Sequence, residues 1–131
     1  MAVASGLAVF MLVEQIDPGT PHTTSRAGQW AWLNAVPAPP ANCRVFYIVA
    51  NPRPATAPWY QHQSDAILVA NLFGIPTVNG NSSLWPRGWE FHDPARPDYL
   101  ESLRRWVEAK NIGAGLCGLE PRTGRWVAQW P

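Results

Sequence analysis

The chain has 131 residues, enough for one core, and residues 1–131 read as a single domain. A formal net charge of +1 with only 15% charged residues excludes a phosphate-driven nucleic-acid binder, which needs a basic field. The 14 prolines alone would fit a disordered chain, but eight tryptophans do not, so the reading is a compact domain with rigid, proline-rich loops.

Residues 7–16 read as a strand covered on both faces, because apolar residues run almost unbroken through Val13. Glu14 and Gln15 break that run at its carboxyl end. The run is much shorter than the roughly 20 residues of a membrane span. No Lys or Arg precedes it, so no export signal is read there. Asp17-Pro18-Gly19 is a turn, and Thr23, Thr24 or Ser25 caps a helix reaching about Ala35. Pro37, Pro39 and Pro40 end that helix. Residues 43–50 carry Val45, Phe46, Tyr47, Ile48 and Val49 and form a second strand.

A loop over 51–58 leads to a helix capped by Ser64, or begun slightly earlier, that stops at Gly74 as its C′ residue. Residues 75–78 make a short third strand, and 79–83 the polar loop that leaves it. Residues 84–97 have no periodicity but hold Trp85, Trp89, Phe91 and His92. Asp98 then caps a helix with an apolar stripe of Tyr99, Leu100, Leu103, Trp106 and Val107, and Glu101 pairs with Arg105 at i,i+4. Asn111 or Gly113 ends it. Residues 114–120 form a fourth strand, 121–124 a hairpin turn, and 125–130 an antiparallel edge strand.

The order β-α-β-α-β-α-β-β predicts an α/β three-layer sandwich, with a mostly parallel sheet and a C-terminal antiparallel hairpin. Ligands sit beyond the carboxyl ends of strands in such sheets. A central first strand brings Glu14 and Gln15 toward Asn79 and Asn81, with Trp85 and Trp89 as lid or wall.

The loop Asn79-Gly80-Asn81-Ser82-Ser83 has two open readings. Asn79, Asn81 and Ser82 contact a ligand, or the loop is a turn that uses Asn and Gly for left-handed backbone. It lacks the Gly-rich fingerprint of a dinucleotide site, and no cofactor is implied. Trp85 and Trp89 offer flat apolar faces that stack on pyranose rings; the competing reading is loop filling. His62 with Asp65 three residues on, together with Glu14, makes the alternative of a small stand-alone hydrolase or transferase. The plainer readings are a solvated or capping His62 and a Glu14 paired with an arginine. Histidines at 22, 62 and 92 have no metal spacing. Cys43 and Cys117 are either a disulfide or two buried thiols.

A resemblance adds to this. The segments Leu12-Val13-Glu14-Gln15, Pro39-Pro40-Ala41-Asn42-Cys43-Arg44-Val45-Phe46-Tyr47, Asp65-Ala66-Ile67-Leu68, Gly74-Ile75-Pro76-Thr77-Val78-Asn79-Gly80, Trp106 and Gly115-Leu116-Cys117 carry it. They resemble the carboxyl-terminal soluble region of large bacterial multi-span membrane proteins, themselves similar to polyprenyl-phosphate-sugar-dependent glycosyltransferases. The loop keeps the family's Pro86 and Gly88-Trp89 but has Asn81 and Ser83 where the family has Tyr and Gly.

The resemblance implies a non-catalytic accessory or binding domain that recognises a saccharide or lipid-linked saccharide beside a membrane-embedded transferase-like region. It implies the outer side of the bacterial inner membrane, where Cys43 and Cys117 can be bridged. A free-standing chain without an export signal implies the cytoplasm instead. A structural or oligomerisation module is the third class, and it predicts an exposed apolar patch.

Overall fold

The computed structural model describes residues 10, 25–49, 60–82, 84–121 and 123–127. Helix α1 spans Arg26–Ala35, and the Ser25 hydroxyl accepts from the Gly28 N–H at 3.2 Å to close its first turn. Strand β1 is Val45–Ile48. Helix α2 spans Gln61–Phe73 and begins ahead of Ser64, whose hydroxyl donates back to the Tyr60 carbonyl. Gly74 ends it at φ 66°, the left-handed conformation expected of a C′ glycine.

Helix α3 is Tyr99–Lys110 and closes on Asn111 in the same conformation. Asp98 sits at its start but makes no capping bond. Arg96 holds that carboxylate by two hydrogen bonds of 2.9 and 2.6 Å. Arg105 turns to Ser102 and Glu90 where pairing with Glu101 was expected. Leu100, expected in the buried stripe of α3, is exposed, while Ser102 is buried. Strands β2 (Leu116–Glu120) and β3 (Arg125–Val127) complete the sheet.

The sheet order is β1-β2-β3. β1 runs parallel to β2, with Val45 opposite Leu116 and Ile48 opposite Leu119. β3 returns antiparallel, with Glu120 opposite Arg125. Among the described residues this three-stranded mixed sheet overturns the expected three-layer sandwich with a larger, mostly parallel sheet.

Two of the expected strands are not among the strands described. Of residues 7–16 only Phe10 is described, and it is helical and exposed; the rest of that expected strand lies outside the described residues. Residues 75–78 give one isolated parallel bridge, Thr77 to Phe46. The ladder starts there, with Phe46 N–H on the Pro76 carbonyl and Val78 N–H on the Phe46 carbonyl. It stops at once, because the Ile48 N–H is taken by the Asn79 side chain and not by a backbone carbonyl.

Alternation along the strands separates two cores. Phe46, Ile48, Cys117 and Leu119 pack with Leu33 of α1 and with Ala66 and Val69 of α2. Tyr47 and Leu116 pack on the other face with Trp89, Phe91 and, from α3, Tyr99, Leu103 and Val107. Gly118 lets Tyr47 lie across β2: an added Cβ would sit 3.1 Å from the Tyr47 ring and 2.7 Å from Val49 Cγ2.

Cys43 and Cys117 form a disulfide within the first core, with Cα atoms 5.7 Å apart. Trp30 and Trp32 face differently on α1, since Trp30 is exposed while the Trp32 indole donates to the Pro121 carbonyl at 2.8 Å. Trp126 answers from β3 by donating to the Pro37 carbonyl at 2.8 Å. Among the described residues, no helix is long and apolar enough to cross a membrane.

Candidate functional site

The polar loop and the aromatic segment meet on the face that carries α3. Asn79 is buried, and both ends of its amide are engaged. Its Oδ1 accepts from Ile48 N–H at 2.7 Å, and its Nδ2 donates to the Tyr99 hydroxyl at 3.3 Å. Tyr99 donates in turn to the Ile48 carbonyl at 2.7 Å. Burial pushes the Tyr99 phenol far above its usual range, so it stays a neutral donor. The Asn79 side chain therefore closes the end of β1 with one acceptor and one donor bond, while the residue also lines the cleft described below.

Gln63, fully buried on α2, ties the two walls together. Its Oε1 accepts from Gly80 N–H at 2.9 Å, and its Nε2 donates to the His92 carbonyl.

Trp89 is the anchor of the aromatic segment. It is 8% exposed, and its indole donates to the Val78 carbonyl at 3.0 Å. Its ring packs on Phe91 with centroids 4.6 Å apart. Trp85 lies on Trp89 at 4.4 Å and meets His92 edge-on at 5.8 Å. Trp85 remains 42% exposed, so it presents a ring face backed by a buried ring.

Two clefts share these rings. One, of about 550 Å³, is bounded mostly by apolar groups: Val45, Val78, Leu84, Pro86, Trp106 and Ile112, with Asn79, Gly80 and Ser82 at its rim. The Trp106 indole nitrogen is buried there without a hydrogen-bond partner, its ring T-stacked on Phe91. The other, of about 770 Å³, is bounded by Trp85, Trp89, Glu90, His92, Asp93 and Arg96. Arg96 is spoken for by Asp98, and that pairing holds the Asp98 carboxyl below the usual carboxylate range.

Of the residues singled out from the sequence, Asn79, Ser82, Trp85 and Trp89 line one cleft together. Asn81 is exposed and does not line the cleft, and the Ser82 hydroxyl is used by Leu84 N–H at 3.1 Å. Glu14 and Gln15 lie outside the described residues. His62 and Asp65 line neither cleft. His62 is buried on α2, and Asp65 accepts from Gln61 at 2.8 Å and Gln29 at 3.3 Å. Burial raises the Asp65 pKa, and the two amides and His62 oppose that rise.

Sequence reasoning missed Glu90, Asp93 and Arg96. Their only signal was polar residues placed between aromatics in a stretch without periodicity. It also missed Gln63, which nothing in the helical pattern distinguishes from a surface glutamine. Compared with protein-family models, with curated proteins and with solved structures, the chain matches none.

Proposed function

We propose that this chain is a non-catalytic binding domain that recognises a saccharide on the Trp85 face. The observation that carries this reading is the half-exposed Trp85 ring, fixed on buried Trp89 and flanked by Glu90, His92, Asp93 and Arg96. A flat apolar ring takes the C–H face of a pyranose, and the surrounding polar groups take hydroxyls at its edge. The apolar cleft on the other side of the same rings suits the aliphatic part of a lipid-linked saccharide. Placement beside a membrane-embedded, transferase-like region on the outer side of a bacterial inner membrane belongs to the same proposal. The Cys43–Cys117 disulfide supports that compartment, since such bonds persist where the medium is oxidising.

The hydrolase or transferase alternative is weaker. Its acid–base groups must converge on one pocket, and His62 and Asp65 are held by α2 and its neighbours away from both clefts. A glycan array followed by titration of intrinsic tryptophan fluorescence tests the proposal. Binding that Trp85→Ala removes, in a variant with unchanged melting, is expected. Absence of any Trp85-dependent glycan would overturn it.

A further inference from the structure

In this chain only Asn79 is an asparagine followed by a glycine, Gly80. Asparagine is a chemically labile residue, and that setting is where it is most labile. The next residue's backbone nitrogen attacks the side-chain amide carbon, and a glycine there has no Cβ to obstruct the ring closure.

In the folded chain the groups that would react are all held. Gly80 N–H donates to Gln63 Oε1 at 2.9 Å, Asn79 Oδ1 accepts from Ile48 N–H at 2.7 Å, and Asn79 Nδ2 donates to the Tyr99 hydroxyl at 3.3 Å. Asn79 is 4% exposed, and Gln63 is fully buried. The attacking nitrogen and the amide it must reach are thus fixed by partners from β1, α2 and α3. Neither Asn79 nor Gly80 has left-handed backbone, and a Cβ added at Gly80 would meet nothing within 4 Å. Neither backbone conformation nor space calls for the glycine.

We propose that Asn79-Gly80 is a latent deamidation site, locked by the Ile48, Gln63 and Tyr99 bonds and unlocked whenever the end of β1 opens. On opening, the Gly80 nitrogen loses its proton to solvent and bonds to Asn79 Cγ, the Cγ–Nδ2 bond breaks, and the amide leaves as ammonia. Water then opens the cyclic imide at either carbonyl, leaving aspartate or isoaspartate at position 79. Neither product rebuilds the lock. An aspartate keeps an acceptor for Ile48 N–H but has no proton for the Tyr99 oxygen, whose own hydrogen goes to the Ile48 carbonyl. An isoaspartate carries the main chain through its side chain and shifts Gly80 N–H away from Gln63. The change is one-way and accumulates with the time this corner spends open. None of this depends on what Trp85 binds.

The test incubates the full chain at mildly alkaline pH, folded and in guanidinium chloride. Fragment-ion mass spectrometry reads amide-to-acid conversion at Asn79 separately from that at exposed Asn81. In denaturant, Asn79 should convert faster than every other asparagine. Folded protein should convert it at least about tenfold more slowly, since only locally opened molecules react. Gly80→Ala should fold as wild type and slow conversion in denaturant severalfold. Gln63→Leu, or Tyr99→Phe if the first does not fold, frees one held group and should raise the folded-state rate severalfold. Converted protein returned from denaturant should melt below an unconverted sample treated briefly in the same way. A folded-state rate equal to that in denaturant would overturn the lock, as would a rate that neither variant moves. Conversion in denaturant that Gly80→Ala leaves equally fast would overturn the site itself. Recovery of wild-type melting by the converted protein would overturn its one-way character.

Discussion

Asn79 and Tyr99 grip the two sides of one peptide residue: Asn79 accepts from the N–H of Ile48, and Tyr99 donates to its carbonyl. The two side chains also bond each other. The end of β1 is thereby closed by side chains where a third strand would otherwise have continued.

Tyr99→Phe should lower stability by about 1–3 kcal/mol, because it strips the Ile48 carbonyl of its buried donor and the Asn79 amide N–H of its acceptor. Asn79→Ala should cost at least as much, since it leaves the Ile48 N–H buried without its acceptor. Urea unfolding of both variants checks this. For Asn79→Ala, saccharide affinity per folded molecule should stay unchanged, because the proposed sugar face is Trp85 and the amide is engaged by Ile48 and Tyr99.

Gly118→Ala places a methyl group against Val49 and the Tyr47 ring. Overpacking of this kind costs about 1–3 kcal/mol. Both contacts sit in strands or their immediate flank, so neither can retreat freely. A thermal melt of the single variant reads the loss, and Gly118→Ala with Tyr47→Leu should recover part of it.

Asp65 gives a pH dependence of defined sign. Its folded pKa is raised above the ordinary 3.8, so the native state binds its proton more tightly than the unfolded chain does. The stability it contributes is full below the unfolded pKa and is lost as pH rises through the folded one. Asp65→Asn should therefore raise the melting temperature at pH 7, and the gain should vanish below the unfolded value near 3.8. A melting series from pH 3 to pH 7 follows it.

The disulfide joins positions 74 residues apart. Closing a loop of that size restricts the unfolded chain by about 4 kcal/mol in the chain-entropy model. Denatured, unreduced protein should show no free thiol. Reduction should lower the urea midpoint by an amount that reflects a large share of that figure.

The helices were legible in the sequence because their ends are written locally. Ser25, Gly74 and Asn111 act within one turn of their own positions. The sheet was not, because a strand exists only through its partner. The stretch 75–78 has strand-forming residues, yet it becomes a single bridge once Asn79 takes the Ile48 N–H 31 residues away.

The aromatic half of the site was readable, since Trp85 and Trp89 stand four apart in a segment with no helical or strand period. Which of the two is exposed was not readable. That depends on the Val78 carbonyl, reached only by the Trp89 indole. Gln63 was invisible for the same reason, as its two partners come from loops that the chain reaches 17 and 29 residues later.

The two indoles Trp32 and Trp126 exchange donors across the molecule, each ending on a proline carbonyl beside the other's element. Trp32 of α1 reaches the hairpin at Pro121, and Trp126 of β3 reaches the exit of α1 at Pro37. Neither element can lift away without breaking both bonds at once. In native-state hydrogen exchange, α1 and β3 should consequently open as one cooperative unit with a shared free energy. That unit links early and late segments of the chain and leaves the Trp85 face, on the opposite side of the sheet, undisturbed when it opens.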